Sequence, residues 1–287
     1  SAFYYADGAS ESVAVGRSAG SYATGTGNTF VGDKAGVRPT GDYNVAMGYQ
    51  ALSGAAAGSS ANSNVAIGAF AGYSATTPSE NVIVGMWAGS SATTANYNTL
   101  LGYAAGGKLT TSEKNVSIGH GSLYGHATQA TTSDKNVSIG FNAMYVASGA
   151  NYNVAVGEGA LSGAAAGMTG DKNVAIGRQA LHNATSATNV VAIGYLAGYD
   201  QTTDNEGSIY IGSAAGQNDY GTNRNIFIGF DAGNNNTTGA NNLAIGHKAL
   251  EDMVDGIHNV MIGREAGKNL TKNQNVAIGT YAMTGAV

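Results

Sequence analysis

Apolar and polar positions along the chain follow one short figure repeated from end to end. A residue that is β-branched or aliphatic, then any residue, then Val, Ile, Leu or Met, then Gly recurs with its glycine at Gly16, Gly32, Gly48, Gly68, Gly85, Gly102, Gly119, Gly140, Gly157, Gly177, Gly194, Gly212, Gly229, Gly246, Gly263 and Gly279. The intervals are 16, 16, 20, 17, 17, 17, 21, 17, 20, 17, 18, 17, 17, 17 and 16 residues, a period near 17 that leaves no room for a second domain. Four residues before the glycine stands Asn in thirteen units, Ser12, Val190 and Ser208 being the exceptions. Three residues after it stands Ala in fifteen, replaced by Ser122 in the other. Polar segments such as SATTPSE (residues 74–80) and KLTTSEK (residues 108–114) separate the units.

Runs such as Val-Ala-Ile have the β-branched content and the period of two of a short strand. A fixed repeat of this length is the mark of a solenoid, because one coil cannot bury its apolar face alone whereas stacked coils bury a continuous column. The pattern therefore predicts an all-β fold, a parallel β-solenoid of about sixteen coils of ~17 residues over residues 1–287. At ~4.8 Å per coil it would be a rod roughly 75 Å long. The glycine supplies a bend or a backbone conformation closed to other residues. Stacked asparagines can hydrogen-bond amide to amide at the coil spacing.

The outer residues of each strand, Val65 and Ile67 for example, are expected to face the coil interior. The middle position then points outward, and it is unusually apolar. It is occupied by Ala14, Ala46, Ala66, Ala155, Ala175, Ala192, Ala244 and Ala277, by the larger Phe30, Ile83, Leu100, Tyr210, Phe227 and Met261, and by Ser117 and Ser138. A strand apolar on both faces is normally covered on both. This column, the two serines aside, is therefore the expected seam between identical chains.

Composition sharpens the picture. Forty-four glycines, two prolines and 11% charged residues fit neither an ordinary globular domain nor a disordered tail. There is no Gly-X-Y period, so collagen is excluded. A net charge of −5 provides no footprint for nucleic acid or an anionic membrane. No apolar run approaches 18 residues, and membrane insertion by such a segment is not expected. The absence of cysteine rules out disulfides and thiolate metal sites. The start and end fall mid-pattern, as expected of a processed or excised piece.

The units NVAMG, NVAIG, NVSIG and NVAVG, nearly all followed by x-x-Ala, resemble the head repeats of trimeric autotransporter adhesins of the YadA-like type. GNTFVGDKAG, NRNIFIGFDAG and NYNTLLGYAAG are similar to repeats in bacteriophage tail fibres. The resemblance implies a left-handed β-roll, a homotrimeric rod, and an adhesive or receptor-binding segment that is extracellular, on a cell surface or on a virion. Its ligand would be a cell-surface or matrix component, carbohydrate included. The family's repeats are usually shorter than these, and no coiled-coil stalk, neck or anchor barrel is present, which favours a head fragment or a phage fibre over an intact autotransporter.

Specificity is expected in the columns that vary. The first two positions after the glycine carry Tyr49, Trp87, Tyr103, Phe141, Tyr195 and Phe230, whose faces can stack on sugar rings; packing between coils or chains is the alternative reading of the same rings. The longest intervals follow Gly48, Gly119 and Gly157, where Leu52, Leu123 and Leu161 replace the usual glycine and are expected to cap the core under enlarged loops, two of which share LSGAAAG (residues 52–58 and 161–167).

No catalytic constellation or cofactor site is expected. The five histidines lack metal-ligand spacing, His120 and His126 being the nearest pair. The segment GYAAGGK from Gly102 to Lys108 nearly matches a phosphate-binding loop, but Leu109 stands where Ser or Thr is needed, and the segment is one more repeat unit. The nonapeptides of calcium-binding β-rolls are missing, and so is the six-residue spacing of hexapeptide acyltransferases. Carboxylates brought together from distant coils for glycoside hydrolysis stay open as a reading. So does an ice-binding array built on Thr76–Thr77, Thr93–Thr94, Thr110–Thr111, Thr131–Thr132, Thr202–Thr203 and Thr237–Thr238, and so does a purely structural solenoid.

Overall fold

The computed structural model describes residues 10–38, 41–54, 60–125, 131–163, 167–201, 206–220 and 224–285. It contains sixteen three-residue parallel strands, β1 (Val13–Val15) to β16 (Val276–Ile278), with no helix among the described residues. The chain is a β-solenoid with one strand per coil. It divides into two compact units, Ser1–Gly149 and Ala150–Val287. Strands pair in chain order and in register in each: β1 through β8 (Val137–Ile139) in the first, β9 (Val154–Val156) through β16 in the second.

The strand is only a fraction of each coil, and backbone conformation shapes the rest. In every repeat, four positions have positive φ: the residue before the Asn column, the glycine itself, and the second and fourth residues after it. The glycine column lies at φ 127–139°, which residues with a side chain rarely adopt. A Cβ at Gly119 would also sit 2.5 Å from the carbonyl oxygen of Gly140 in the next coil. Two independent requirements, conformation and close approach, thus fix the one residue type that never varies. The other three columns sit near φ 43–75° and hold many non-glycine residues. Ladder hydrogen bonds hold them there: Lys34 N–H donates to Arg17 O (2.8 Å) and Gly36 N–H to Ala51 O (2.9 Å), the first towards the preceding coil and the second towards the following one.

The strand faces are the reverse of the sequence expectation. The middle column lies inside the coil. Phe30, Ala46, Ala66, Ile83, Leu100, Ala155, Ala175, Ala192, Tyr210, Phe227, Ala244 and Met261 are at most 1% exposed; Ala277, in the last coil, is buried, and Ala14, in the first, is half-buried. None of these fourteen residues can form a seam between chains. The core is narrow, and most levels hold one large side chain. Where the middle residue is large, the fourth position after the glycine is Gly: Gly36, Gly89, Gly106, Gly216, Gly233 and Gly267 stand opposite Phe30, Ile83, Leu100, Tyr210, Phe227 and Met261. A Cβ at each would collide with or press on that side chain. Where the middle residue is Ala or Ser, the position usually holds a larger residue, and Leu52, Leu123, Met144, Leu161, Leu181 and Leu250 are each buried there. In the levels with two small residues, neighbouring coils fill the space, as Leu52 and Ile83 do around Gly72. Leu52, Leu123 and Leu161 are thus core-fillers rather than loop caps, since Leu181 and Leu250 do the same in coils of ordinary length. Residues 55–58 and 164–166 of the shared LSGAAAG segments lie outside the described residues.

The asparagine column inside the core is hydrogen-bonded from coil to coil. Asn81 Nδ2 donates to Asn64 Oδ1 (2.9 Å) and to Ala95 O (2.8 Å), while Asn81 Oδ1 accepts the backbone N–H (2.8 Å) and Nδ2 (3.1 Å) of Asn98. The same amide ladder runs through Asn28, Asn44, Asn64, Asn81, Asn98, Asn115 and Asn136, and again from Asn153 to Asn173 and from Asn242 through Asn259 to Asn275. Ser208 substitutes as acceptor for Asn225 N–H (3.2 Å). Ser117, Ser122 and Ser138 are buried and linked by their hydroxyls to one another or to core carbonyls. Replacing Asn81 by Ala strands the buried backbone N–H of Asn98 and removes the amide donor to Ala95 O, so denaturant unfolding should show a loss of about 2–3 kcal/mol. Asn81→Ser, which keeps an acceptor, should lose roughly half as much. Equal losses for both would dismiss the ladder as an energetic element.

Candidate functional site

Turning the strand inside out places its two outer columns on the surface. Val13, Val15, Met47, Ile67, Val82, Thr99, Leu101, Ile176, Ile193, Val276 and Ile278 are exposed, and the remaining members of these columns half-buried. In the first unit this makes a largely aliphatic stripe eight strands long, roughly 34 Å at the usual strand spacing. The second unit carries an equivalent stripe on β9–β16. Monomeric proteins rarely expose a contiguous apolar patch larger than a few hundred Å².

Beyond the glycine corner, successive coils stack like upon like. Tyr103, His120 and Phe141 form a column with centroids 4.8 and 5.1 Å apart. Phe70 lies on Trp87 at 4.0 Å and 7°, and Tyr49 meets the edge of Phe70. Phe230 stacks on His247, and Arg178 covers Tyr195. Every one of the six expected ligand-binding aromatics therefore has a neighbour in an adjacent coil, which is the packing alternative, and every one remains more than a third exposed.

Of the six, the structure brings Trp87 and Tyr103 into one concave feature, a notch of about 490 Å³ in the first unit. Phe141 is linked to it through His120, and Tyr49 through Phe70. Tyr195 and Phe230 belong to the second unit. Sequence reasoning missed Tyr73, Tyr124 and Tyr145, which line the notch from the column five residues after the glycine. Their common offset was a readable signal, since Tyr124 and Tyr145 are 21 residues apart, matching the interval from Gly119 to Gly140. Lys108, the last residue of the near phosphate-loop match, also lines it.

Charge is sparse and local. Arg17 pairs with Asp33, Arg178 with Glu158, and Lys248 and Lys268 both reach Glu251, each pair except Lys248–Glu251 joining neighbouring coils. Hydrogen bonding to Arg17 holds the Asp33 carboxyl below its usual range. Burial, with Glu251 nearby, pushes Asp231 up. Burial also works against ionised Glu251, but hydrogen bonds from Lys248 and Lys268 outweigh it and leave that carboxyl low. The more exposed pairs, Arg17–Asp33 and Arg178–Glu158, contribute little to stability. No group of three or more His, Asp or Glu residues suited to a metal occurs among the described residues; His126 lies outside them.

The threonine array has a structural use. The Thr76 hydroxyl donates to Thr93 O (2.8 Å), Thr93 to Thr110 O (3.0 Å) and Thr237 to Val254 O (3.2 Å). Thr202–Thr203 lie outside the described residues. One member of each of these bonded pairs is thereby tied to the next coil's backbone, leaving Thr77, Thr94 and Thr111 as an exposed run at coil spacing in the first unit.

Fold and surface columns together define a parallel β-solenoid repeat protein. No protein-family model and no curated protein matches the chain.

Proposed function

We propose that the chain is a ligand-binding segment of an extracellular adhesive fibre, built by side-by-side association of identical chains through the Val/Ile stripe. The observation that carries this is the stripe itself: two aliphatic columns, recurring coil after coil, left in water by an isolated chain. Only a partner with the same coil spacing can cover such a surface along its whole length, and another copy of the chain has that spacing by construction. The homotrimer implied by the YadA-like resemblance puts three stripes around a common axis, with the varying aromatic columns left to meet a cell-surface or matrix ligand.

Light scattering on a size-exclusion column tests the association. Three times 28.7 kDa is the expected mass. A single-chain mass at micromolar concentration would remove the fibre reading, because the stripe would then face water in the protein's working state.

A further inference from the structure

The aromatic columns of the first unit are broken at one place. Along the second position after the glycine, Phe70 and Trp87 are followed by Ala104 and Gly121. Along the fifth, Tyr73 is followed by Ser90 and Gly107 before Tyr124 and Tyr145 resume. The small residues of the two columns coincide in the coil of Gly102, at Ala104 and Gly107, and open the notch there. Trp87 has one face covered by Phe70, and Tyr124 one face covered by Tyr145 at 5.2 Å and 10°. The interruption leaves the second face of Trp87 without a stacking ring from the adjoining coil, whereas the Tyr124 ring is also packed against the backbone of Gly107. Both rings line the cavity, and its volume falls within the range of small-ligand sites.

The polar lining is as specific as the aromatic one. Ser90 and Ser91 border the notch with His120. The Ser90 hydroxyl is fixed by donation to Gly107 O (3.1 Å) and keeps its lone pairs for a ligand hydroxyl. Lys108 is the one charged residue of the lining; no carboxylate lines the notch, and among the described residues Lys108 enters no ion pair. In a chain of net charge −5, a carboxylate-free hollow with a single ammonium group selects an anion. One compact monovalent cation matches one carboxylate. A nucleotide's phosphates call for a glycine-rich loop at a helix N-terminus or an arginine fork, and the notch has neither.

We propose that this notch binds a pyranose ring bearing a carboxylate, as one unit of an acidic surface polysaccharide. The C–H face of the sugar lies on Trp87, its hydroxyls meet Ser90 and Ser91, and its carboxylate pairs with Lys108. The proposal rests on the reading of the chain as a ligand-presenting segment, and it names the ligand class and the place.

Trp87 is the only tryptophan of the chain, so its emission reports on the notch alone. The full chain is titrated with trigalacturonate, with a neutral trigalactoside of the same length and with AMP. Trigalacturonate should shift Trp87 emission and bind about tenfold more tightly than the neutral trimer. Lys108→Met should bring the two to the same affinity. Ala104→Phe should abolish both responses by filling the notch, and the fold tolerates an aromatic there because Phe70 and Trp87 occupy the same column at similar left-handed φ. Equal responses to the acidic and neutral trimers, a stronger response to AMP, or unchanged binding by Ala104→Phe would each overturn the proposal. A single-chain mass together with trigalacturonate binding would remove the fibre and keep the notch; an oligomer whose Trp87 ignores both trimers would do the opposite.

Discussion

Ile118→Asp combined with Ile139→Asp should convert an associated particle into single chains. Both side chains belong to the outer column in neighbouring coils of the first unit, and both point away from the core. As a free chain, the variant exposes two carboxylates where aliphatic groups were already partly wet, so folding should change by less than about 1 kcal/mol. In an associated particle, the same carboxylates would be buried without partners against copies of themselves, at a cost of several kcal/mol per chain. The measurement is solution mass alongside circular dichroism. Loss of mass with an unchanged spectrum is the expected result. Retained oligomer would place the contact elsewhere, and loss of both would show that the column supports the coil rather than a partner.

The second large effect lies inside the coil. Gly233→Leu alone puts a side chain onto the Phe227 ring and should destabilise by about 3 kcal/mol or more. Phe227→Ala alone empties the same level and should cost about 3–5 kcal/mol. The double variant reproduces the arrangement of Ala244 with Leu250 in the following coil and of Ala46 with Leu52. It should recover most of both losses, leaving about 1 kcal/mol, part of it the strain of a leucine at positive φ. Denaturant unfolding of the four proteins measures the coupling. Additive losses would mean that the two columns do not share one space.

This reciprocity is written in the sequence. Large middle residues coincide with Gly at the fourth position after the repeat glycine in all six coils that have them, and a plain alignment of the sixteen units shows it. What disguises it is the habit of assigning β-branched residues to the interior. Val-Ala-Ile suits either orientation by its period of two, and a one-residue slip exchanges every side chain between faces. Width settles the interior. A coil this tight admits one large side chain per level, so its inward strand position is either small or large and never shares a level with a second large group. The regular Val and Ile columns are too bulky for it and go outside.

The notch was half legible. Trp87 and Tyr103 stand out as aromatics in variable columns, but Tyr73, Tyr124 and Tyr145 come from a third column and Lys108 from the turn beyond it. Their meeting depends on how far each coil's corner carries the chain, which the left-handed residues decide. Neither the identity of Ala104 nor that of Ser90 announces a cavity; only their coincidence at neighbouring levels does.

By itself the sequence determined the number and position of the strands, the parallel stacking, the glycine column and the asparagine ladder, because each of these recurs in register and a repeated unit must meet its own copy. The tertiary structure alone decided which strand face is the core, that the recurring aliphatics form the outer stripe, and that two interrupted aromatic columns open at the same level. Those depend on the closed circuit of the coil, whose four positive-φ positions are a property of the folded backbone and, the repeat glycine aside, not of any residue type that occupies them.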